Sequence, residues 1–286
     1  MSADALRQRL LAWYDQGHRD LPWRRDPRPW PVWVSEVMLQ QTRVESVLPY
    51  FARFMARYPT PSALAAAPLD EVLAGWAGLG YYARARNLHR AAQQCVERHG
   101  GAVPDDPAAF AALTGVGRYT CGAVQSIAFG HRLPVLDGNV ARVLCRLDHL
   151  TENPRAPQSL TRLWARAAEL ADGKRPGDTN QALMELGALI CTPKRPKCLL
   201  CPLQAACQAR AAGDAESLPA RPPRKARPRL QLVAGLARDA EGRIWFGRRP
   251  EEGLLGGLWS LPSVLADPPG PTALAALDLR AVGEPA

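Results

Sequence analysis

Leu113-Thr114-Gly115-Val116-Gly117-Arg118-Tyr119-Thr120, and beyond it Val135-Leu136-Asp137-Gly138-Asn139-Val140-Ala141-Arg142, are the two segments from which the rest of the chain can be read. Two glycines separated by one apolar residue permit a tight turn with free backbone N–H groups. A helical pattern follows at once, and a helix N-terminus behind such a turn suits an anion. A G-x-G also fits a plain helix connector. Asp137, placed ahead of the next helical pattern, fits an N-cap. Taken singly, neither segment separates scaffold from site.

Outward from these segments the reading is helical from residue 4 to about 207. Asp4 is expected to cap a first amphipathic helix carrying Leu6, Leu10, Trp13 and Tyr14. The Pro- and Arg-rich stretch Leu21 to Pro31 breaks it, and the apolar run Val32 to Leu39 follows. Thr42 with Glu45 reads as a capping box that starts a helix running to about Arg57. Shorter helices fit between Pro61 and Trp76. Tyr82 to His99 makes a further helix stopped by Gly100-Gly101, and Asp106-Pro107 begins another. Past Cys207 the stretch Gln208 to Arg229 is rich in Ala, Pro and Arg without periodicity and reads as a linker. Leu230 to Leu236, a turn at Asp239 to Gly242, and Arg243 to Phe246 suggest a β-hairpin opening a second domain.

The chain has 286 residues and a formal net charge of +9, from 36 Lys and Arg against 27 Asp and Glu. That length allows about two domains. No apolar run approaches the ~18 residues of a membrane span, and the start has no signal-peptide core, so neither membrane insertion nor secretion is expected. The basic excess suits a polyanion, though solvated basic surfaces are common. Seven cysteines without a signal argue for metal or free thiols in a reducing compartment rather than a disulfide framework. Cys191, Cys198, Cys201 and Cys207 crowd one proline-rich loop. Four thiolates so placed suit zinc or an iron–sulfur cluster. Lys194, Arg195 and Lys197 lie between the first two and could contact phosphate or simply face water. Cys95, Cys121 and Cys145 sit in helical patterns as core residues.

In Val32-Trp33-Val34-Ser35-Glu36-Val37-Met38-Leu39-Gln40-Gln41-Thr42, a lone acid stands within an apolar helix. Glu36 is costly there unless paired, open to a cleft or protonated.

Taken together, the hairpin, Asp137 and the cysteine loop resemble the endonuclease III superfamily of helix-hairpin-helix DNA glycosylases. Thr114 stands where that family commonly has Pro. The run around Glu36 narrows the resemblance to the adenine DNA glycosylases, the MutY family, over residues 5 to about 262. The implied fold is mainly α and two-lobed, with a six-helix lobe at about 22–132 and a cluster lobe of 1–21 plus 133–207. Residues 208–229 would be a basic linker, and 230–286 a partial α+β Nudix-like domain. The cysteine spacing is similar to the family's [4Fe-4S] loop, which makes Cys191, Cys198, Cys201 and Cys207 the implied ligands.

The implied activity is removal of adenine mispaired with 8-oxoguanine or guanine in double-stranded DNA, as base-excision repair. The enzyme would be a cytoplasmic, nucleoid-associated bacterial monomer. Adenine must be flipped out of the duplex and protonated to leave. By the resemblance Glu36 protonates it at N7, and Asp137 stays ionised to stabilise the oxocarbenium-like sugar, the division of labour that glycosidases use. Tyr119 and Asn139 match positions that support this pair. Strand-cutting endonuclease III-type enzymes carry Lys where Tyr119 stands, and Tyr cannot form a Schiff base; a glycosylase using water is therefore expected. Gln41 and Tyr81 match residues that wedge into the base stack. Trp23, Arg24, Leu39, Val44 and Gln181 match the adenine pocket, where Gln can pair with N6 and N7. Gly115 and Gly117 are the hairpin's phosphate-binding glycines. An endonuclease III-like pyrimidine glycosylase/lyase and a non-catalytic iron–sulfur DNA-binding protein are the alternatives.

Trp245 to Pro250 and Gly256 to Pro262 carry the Nudix-like resemblance, but no Nudix box with its Glu cluster is present, so pyrophosphate hydrolysis is not expected. The family's Phe-Ser-His-type lesion-reading element would lie beyond Ala286, and 286 residues is short for the family.

Overall fold

Capping residues and prolines set where the helices of this protein begin. The computed structural model describes residues 1–220, 232–250 and 256–265. Ser2 caps α1 (Ala3–Gly17), its Oγ accepting the Ala5 N–H at 3.3 Å. Asp4, expected at the cap, instead lies in the first turn and pairs with Arg7. Proline in the first turn starts α2 (Pro22–Arg25) and α3 (Pro29–Leu39), where its missing N–H costs no hydrogen bond.

The capping box at Thr42 does not form. Helix α4 (Val44–Arg57) starts two residues later with Arg43 at its cap and no side-chain bond there. Arg84 holds this corner instead: its guanidinium takes the carbonyls of Val37, Met38, Gln40, Leu79 and Gly80 and also donates to Thr42 Oγ1 at 3.2 Å. The Thr42 hydroxyl in turn faces the Gln40 carbonyl at 3.4 Å rather than the first turn of α4.

The next helices are α5 (Pro61–Ala65), α6 (Leu69–Trp76), α7 (Ala83–His99) and α8 (Pro107–Ala111). As expected, Asp106 caps α8, accepting the Ala109 N–H at 2.8 Å. After the hairpin come α9 (Arg118–Phe129), α10 (Gly138–Leu147), α11 (Pro157–Ala171) and α12 (Pro176–Leu189). A 3-10 turn at Cys198–Leu200 and a short α13 (Gln208–Ala212) follow.

Among the described residues these helices pack through apolar clusters, two of which bear on the site. Edge-on aromatic pairs knit one: Trp33 meets both Trp30 and Phe110, and Phe54 meets Trp76. The other gathers Leu6, Leu10, Val143, Leu144, Leu163 and Leu183 from α1, α10, α11 and α12. Helix α9 packs on α3 of the first group and α12 of the second, which brings residues of both groups to one place.

The chain divides into two compact units, Met1–Gly80 with Arg84–Pro222, and Pro223–Ala286 with Tyr81–Ala83. The first unit therefore includes the start of the stretch read as a linker: Ala209, Ala215 and Leu218 are buried, and α13 lies within it. In the second unit β1 (Leu232–Ala234) pairs antiparallel with β4 (Ser263–Leu265), and β2 (Gly247–Arg248) with β3 (Trp259–Ser260). The expected turn at Asp239 to Gly242 is present, closed by an Arg238–Ile244 bridge, but β1 finds its partner in β4 rather than across that turn. The basic run Arg221 to Arg229 lies outside the described residues, as does 266–286. Among the described residues no helix is long and apolar enough to cross a membrane.

Candidate active site

Helix α3 is apolar on every side, so it is buried all round, and Glu36 is carried inside with it, 5% exposed. The second residue of α9 meets it there: the Tyr119 hydroxyl donates to Glu36 Oε2 at 2.6 Å, with Met184 Sδ of α12 at 3.3 Å. Burial pushes the Glu36 carboxyl up to about 7; the phenol's donation opposes this, and the negative charge of Asp137 adds to it. Burial and the two neighbouring carboxylates hold the Tyr119 hydroxyl well above its ordinary range, so it stays a donor.

Asp137 is both cap and site. Its Oδ1 accepts the Val140 N–H at 2.7 Å, closing the start of α10, and its Oδ2 accepts from Asn139 Nδ2 at 3.1 Å. Burial lifts this carboxyl above its usual range, while the Val140 and Asn139 donors and the Arg142 charge pull it back. Arg142 continues the network: Nη2 donates to Asn139 Oδ1 at 2.9 Å and to the Gly187 carbonyl at 2.7 Å, and Nε to the Cys191 carbonyl at 2.7 Å. Helix α12 can approach Asn139 this closely because residue 187 is glycine. A Cβ there would stand 2.6 Å from Asn139 Cβ.

One cavity of about 860 Å³ collects these groups. Glu36, Tyr119, Asp137 and Asn139 line it together with Trp23, Arg24, Leu39, Val44 and Gln181. Gln41, Gly115 and Gly117 also line it. Gln41 has φ +58° and Gly115 φ +78°, so both turns use left-handed backbone; only the glycine adopts it without steric cost. Tyr81, which belongs to the second unit, is exposed with φ +49°. Lys194, Arg195 and Lys197 are exposed on the cysteine loop and stand outside the cavity lining.

Some lining residues escaped the sequence reading. Glu185 is fully buried and held by two guanidinium groups, Arg19 at 2.7 Å and Arg24 at 2.9 Å. Those contacts outweigh its burial and lower its carboxyl to about 2. Met184, as noted, touches Tyr119. The signal for Glu185 was available but weak: it follows Gln181 by one helical turn on α12, and so shares its face.

The four loop cysteines carry no disulfide and are half-buried. Cys191, Cys201 and Cys207 pack on the α10–α12 core, while Cys198 packs with Cys207 against the small core around Ala209. Burial, with the charges of the other three thiols, raises Cys201 to about 11. Arg146, 1% exposed, ties the loop down by donating to Cys191 Sγ and to the Thr192, Pro193 and Leu218 carbonyls. In kind, four mutually interacting thiols beside a buried cation fit an anionic sulfur-ligated group. Among the described residues no three His, Cys, Asp or Glu side chains are arranged to hold a single metal ion.

Residues 34–169 match the family described as HhH-GPD superfamily base excision DNA repair protein. The chain is 43% identical over 317 residues to the human adenine DNA glycosylase, covering 92% of this chain and 58% of that protein. To the adenine DNA glycosylase of Mycobacterium tuberculosis (strain CDC 1551 / Oshkosh) it is 43% identical over 238 residues, covering 82% of this chain and 75% of that one. Among solved structures, a thermostable thymine-DNA glycosylase is similar with a TM-score of 0.67 and 28% identity, over 73% of this chain and 97% of that chain. A trapped endonuclease III–DNA covalent intermediate is similar with a TM-score of 0.61 and 26% identity, over 74% of this chain and 99% of that chain. The chain spans about three fifths of the length of the mammalian relatives it matches. With the family match running from α3 across the hairpin and Asp137, and relatives of this identity along most of its length, the chain belongs to the adenine DNA glycosylases of the HhH-GPD superfamily.

Proposed function

We propose that this protein hydrolytically removes adenine mispaired with 8-oxoguanine or guanine in duplex DNA. The observation that carries the reading is the buried Glu36–Tyr119 pair, at 2.6 Å, in one cavity with Asp137. Adenine leaves poorly as an anion. A carboxyl that burial holds near 7 is about half protonated at neutral pH, where an ordinary one is almost wholly ionised, so Glu36 can deliver its proton to N7 of a flipped adenine. The bond between C1′ and N9 then breaks with both electrons passing to the base, leaving positive charge on the sugar. Asp137, held by N–H donors that suit an acceptor, stabilises that charge as a carboxylate. Water adds its oxygen to C1′ and gives up a proton, restoring Glu36. The products are free adenine and an abasic site.

Trp23, Leu39 and Val44 would flank the base, with Arg24 and Gln181 reading its polar edge. Gln41 and Tyr81 are the residues we assign to the gap in the base stack. The Gly115 and Gly117 amides, with Lys194, Arg195 and Lys197, would hold phosphates. Cys191, Cys198, Cys201 and Cys207 are the residues that would hold a [4Fe-4S] cluster, which when bound ties this basic loop together and takes no part in the bond changes above. The second unit would be a Nudix-like domain reading the opposite base.

Single-turnover excision from A:8-oxoguanine and A:G duplexes tests the reading. The wild type should release adenine, and Glu36→Gln and Asp137→Asn should not, while still binding the duplex. Borohydride should trap no protein on abasic DNA, because Tyr119 offers no amine; efficient trapping would favour an endonuclease III-like lyase. Iron and sulfide analysis of the purified protein, with Cys198→Ser alongside, tests the cluster against zinc.

A further inference from the structure

Helix α7 is not a wall of the cavity, yet it lies directly behind the hairpin. The Thr114 N–H donates to Gln94 Oε1 of α7 at 2.8 Å. One residue on, Gly115 sits against Asn87 of the same helix so closely that a Cβ there would be 2.6 Å from Asn87 Cβ. The turn itself is closed by Val116 N–H on the Leu113 carbonyl at 3.1 Å. The hairpin therefore touches α7 at two successive residues, by one polar bond and one steric contact. The polar bond exists because residue 114 is not proline. Proline has a fixed φ and no N–H; threonine leaves φ free and presents a donor that needs a partner.

We propose that Gln94 is a positioning residue for the anion site, its side-chain carbonyl locking the Thr114 amide and so aiming the Gly115 and Gly117 N–H groups outward. This rests on the proposed function, in which those amides hold a DNA phosphate. Gln94 touches no substrate. It acts by removing the freedom that threonine brings to the first residue of the turn.

The test uses the full chain and an undamaged duplex, read by fluorescence anisotropy across a salt series. Gln94→Leu keeps the side chain's bulk but loses the acceptor, so the Thr114 N–H is left without its partner and the duplex should bind roughly five-fold more weakly. The plot of log K against log salt should flatten as a phosphate contact is lost. Gln94→Glu keeps an acceptor at the same place and should keep the Thr114 amide bonded, a rescue that simple loss of packing would not give, while its added charge weakens duplex binding by itself. Thr114→Pro alone would drive its ring carbon into Gln94 Oε1 and weaken binding, and Gln94→Ala in that background should recover it. Hydrogen exchange at the Thr114 amide should be slow in the wild type and in Gln94→Glu, and fast in Gln94→Leu. Equal duplex affinity in the wild type and Gln94→Leu, or fast exchange of the Thr114 amide in Gln94→Glu, would overturn the positioning role alone. A wild type with no duplex affinity would overturn both this role and the DNA-binding reading beneath it.

Discussion

Replacing Glu36 by Gln should abolish chemistry and at the same time stabilise the fold, by an amount that depends on pH. The buried carboxyl is raised from 4.5 to about 7, with burial as the main cause. Between those values the native protein keeps a proton that the unfolded chain has released. The contribution of this position to stability is therefore full below pH 4.5 and declines as pH rises through 7. Above that, a charged Glu36 costs about 3 kcal/mol relative to a neutral side chain of the same shape, at about 1.4 kcal/mol for each unit of displacement. Gln is that side chain: its Oε1 can still accept the Tyr119 hydroxyl now at 2.6 Å, and it carries no charge to desolvate. Thermal unfolding of both proteins should coincide near pH 4.5 and diverge as pH rises. By pH 8.5 the Gln variant should melt roughly 6–12 °C higher, taking about 2–4 °C per kcal/mol for a unit of this size. The same ionisation sets the alkaline limb of kcat/KM, which should fall above about pH 7 in the wild type. A melting difference that stays constant from pH 4.5 to 8.5 would refute the reasoning, because a fixed offset means packing rather than a titrating carboxyl.

Other substitutions probe separate parts of the site. Tyr119→Phe removes a donor that favours the Glu36 carboxylate, so the alkaline limb of the excision rate should move to higher pH; a shift downward would contradict that role. Glu185→Gln removes a carboxylate lowered to about 2 by Arg19 and Arg24. It should cost about 3 kcal/mol at pH 7 in urea unfolding, with the gap closing as pH falls from 4.5 toward 2. Gly187→Ala places a Cβ 2.6 Å from Asn139 Cβ. It should destabilise by about 1–3 kcal/mol and slow single-turnover excision, because α10 must shift; an alanine variant with wild-type melting and rate would show that the two helices are not tightly held.

Much of the site was legible because its residues are chemically out of place where they stand. Glu36 interrupts an apolar helix, the G-V-G turn interrupts a helical pattern, and four cysteines crowd one loop. Each is costly or unusual without a role, and such features survive in a bare sequence. The helix after Thr42 starts later than the capping box implies: that box is a local rule, and the Thr42 hydroxyl is engaged by Arg84, far along the chain, and by Gln40 rather than by the helix. Asp4 lost the cap to Ser2 for a smaller reason: two capping residues stand two positions apart, and the helix starts from the earlier one. Met184 and Arg142 had no signal of their own, since a methionine in a helix and an arginine one turn past Asn139 are ordinary until their partners are known.

By themselves the residues determined the helical class, the breaks between helices, the pair of acids and the family resemblance, all of which rest on local pattern or on the spacing of unusual side chains. Only the tertiary structure decided what those acids experience. That Glu36 is desolvated, that a tyrosine from α9 meets it, and that Asp137 shares its cavity depend on α9 packing at once on α3 and α12. Desolvation and hydrogen bonding are properties of surroundings, and the surroundings of Glu36 are assembled from residues as distant in sequence as Trp23 and Met184.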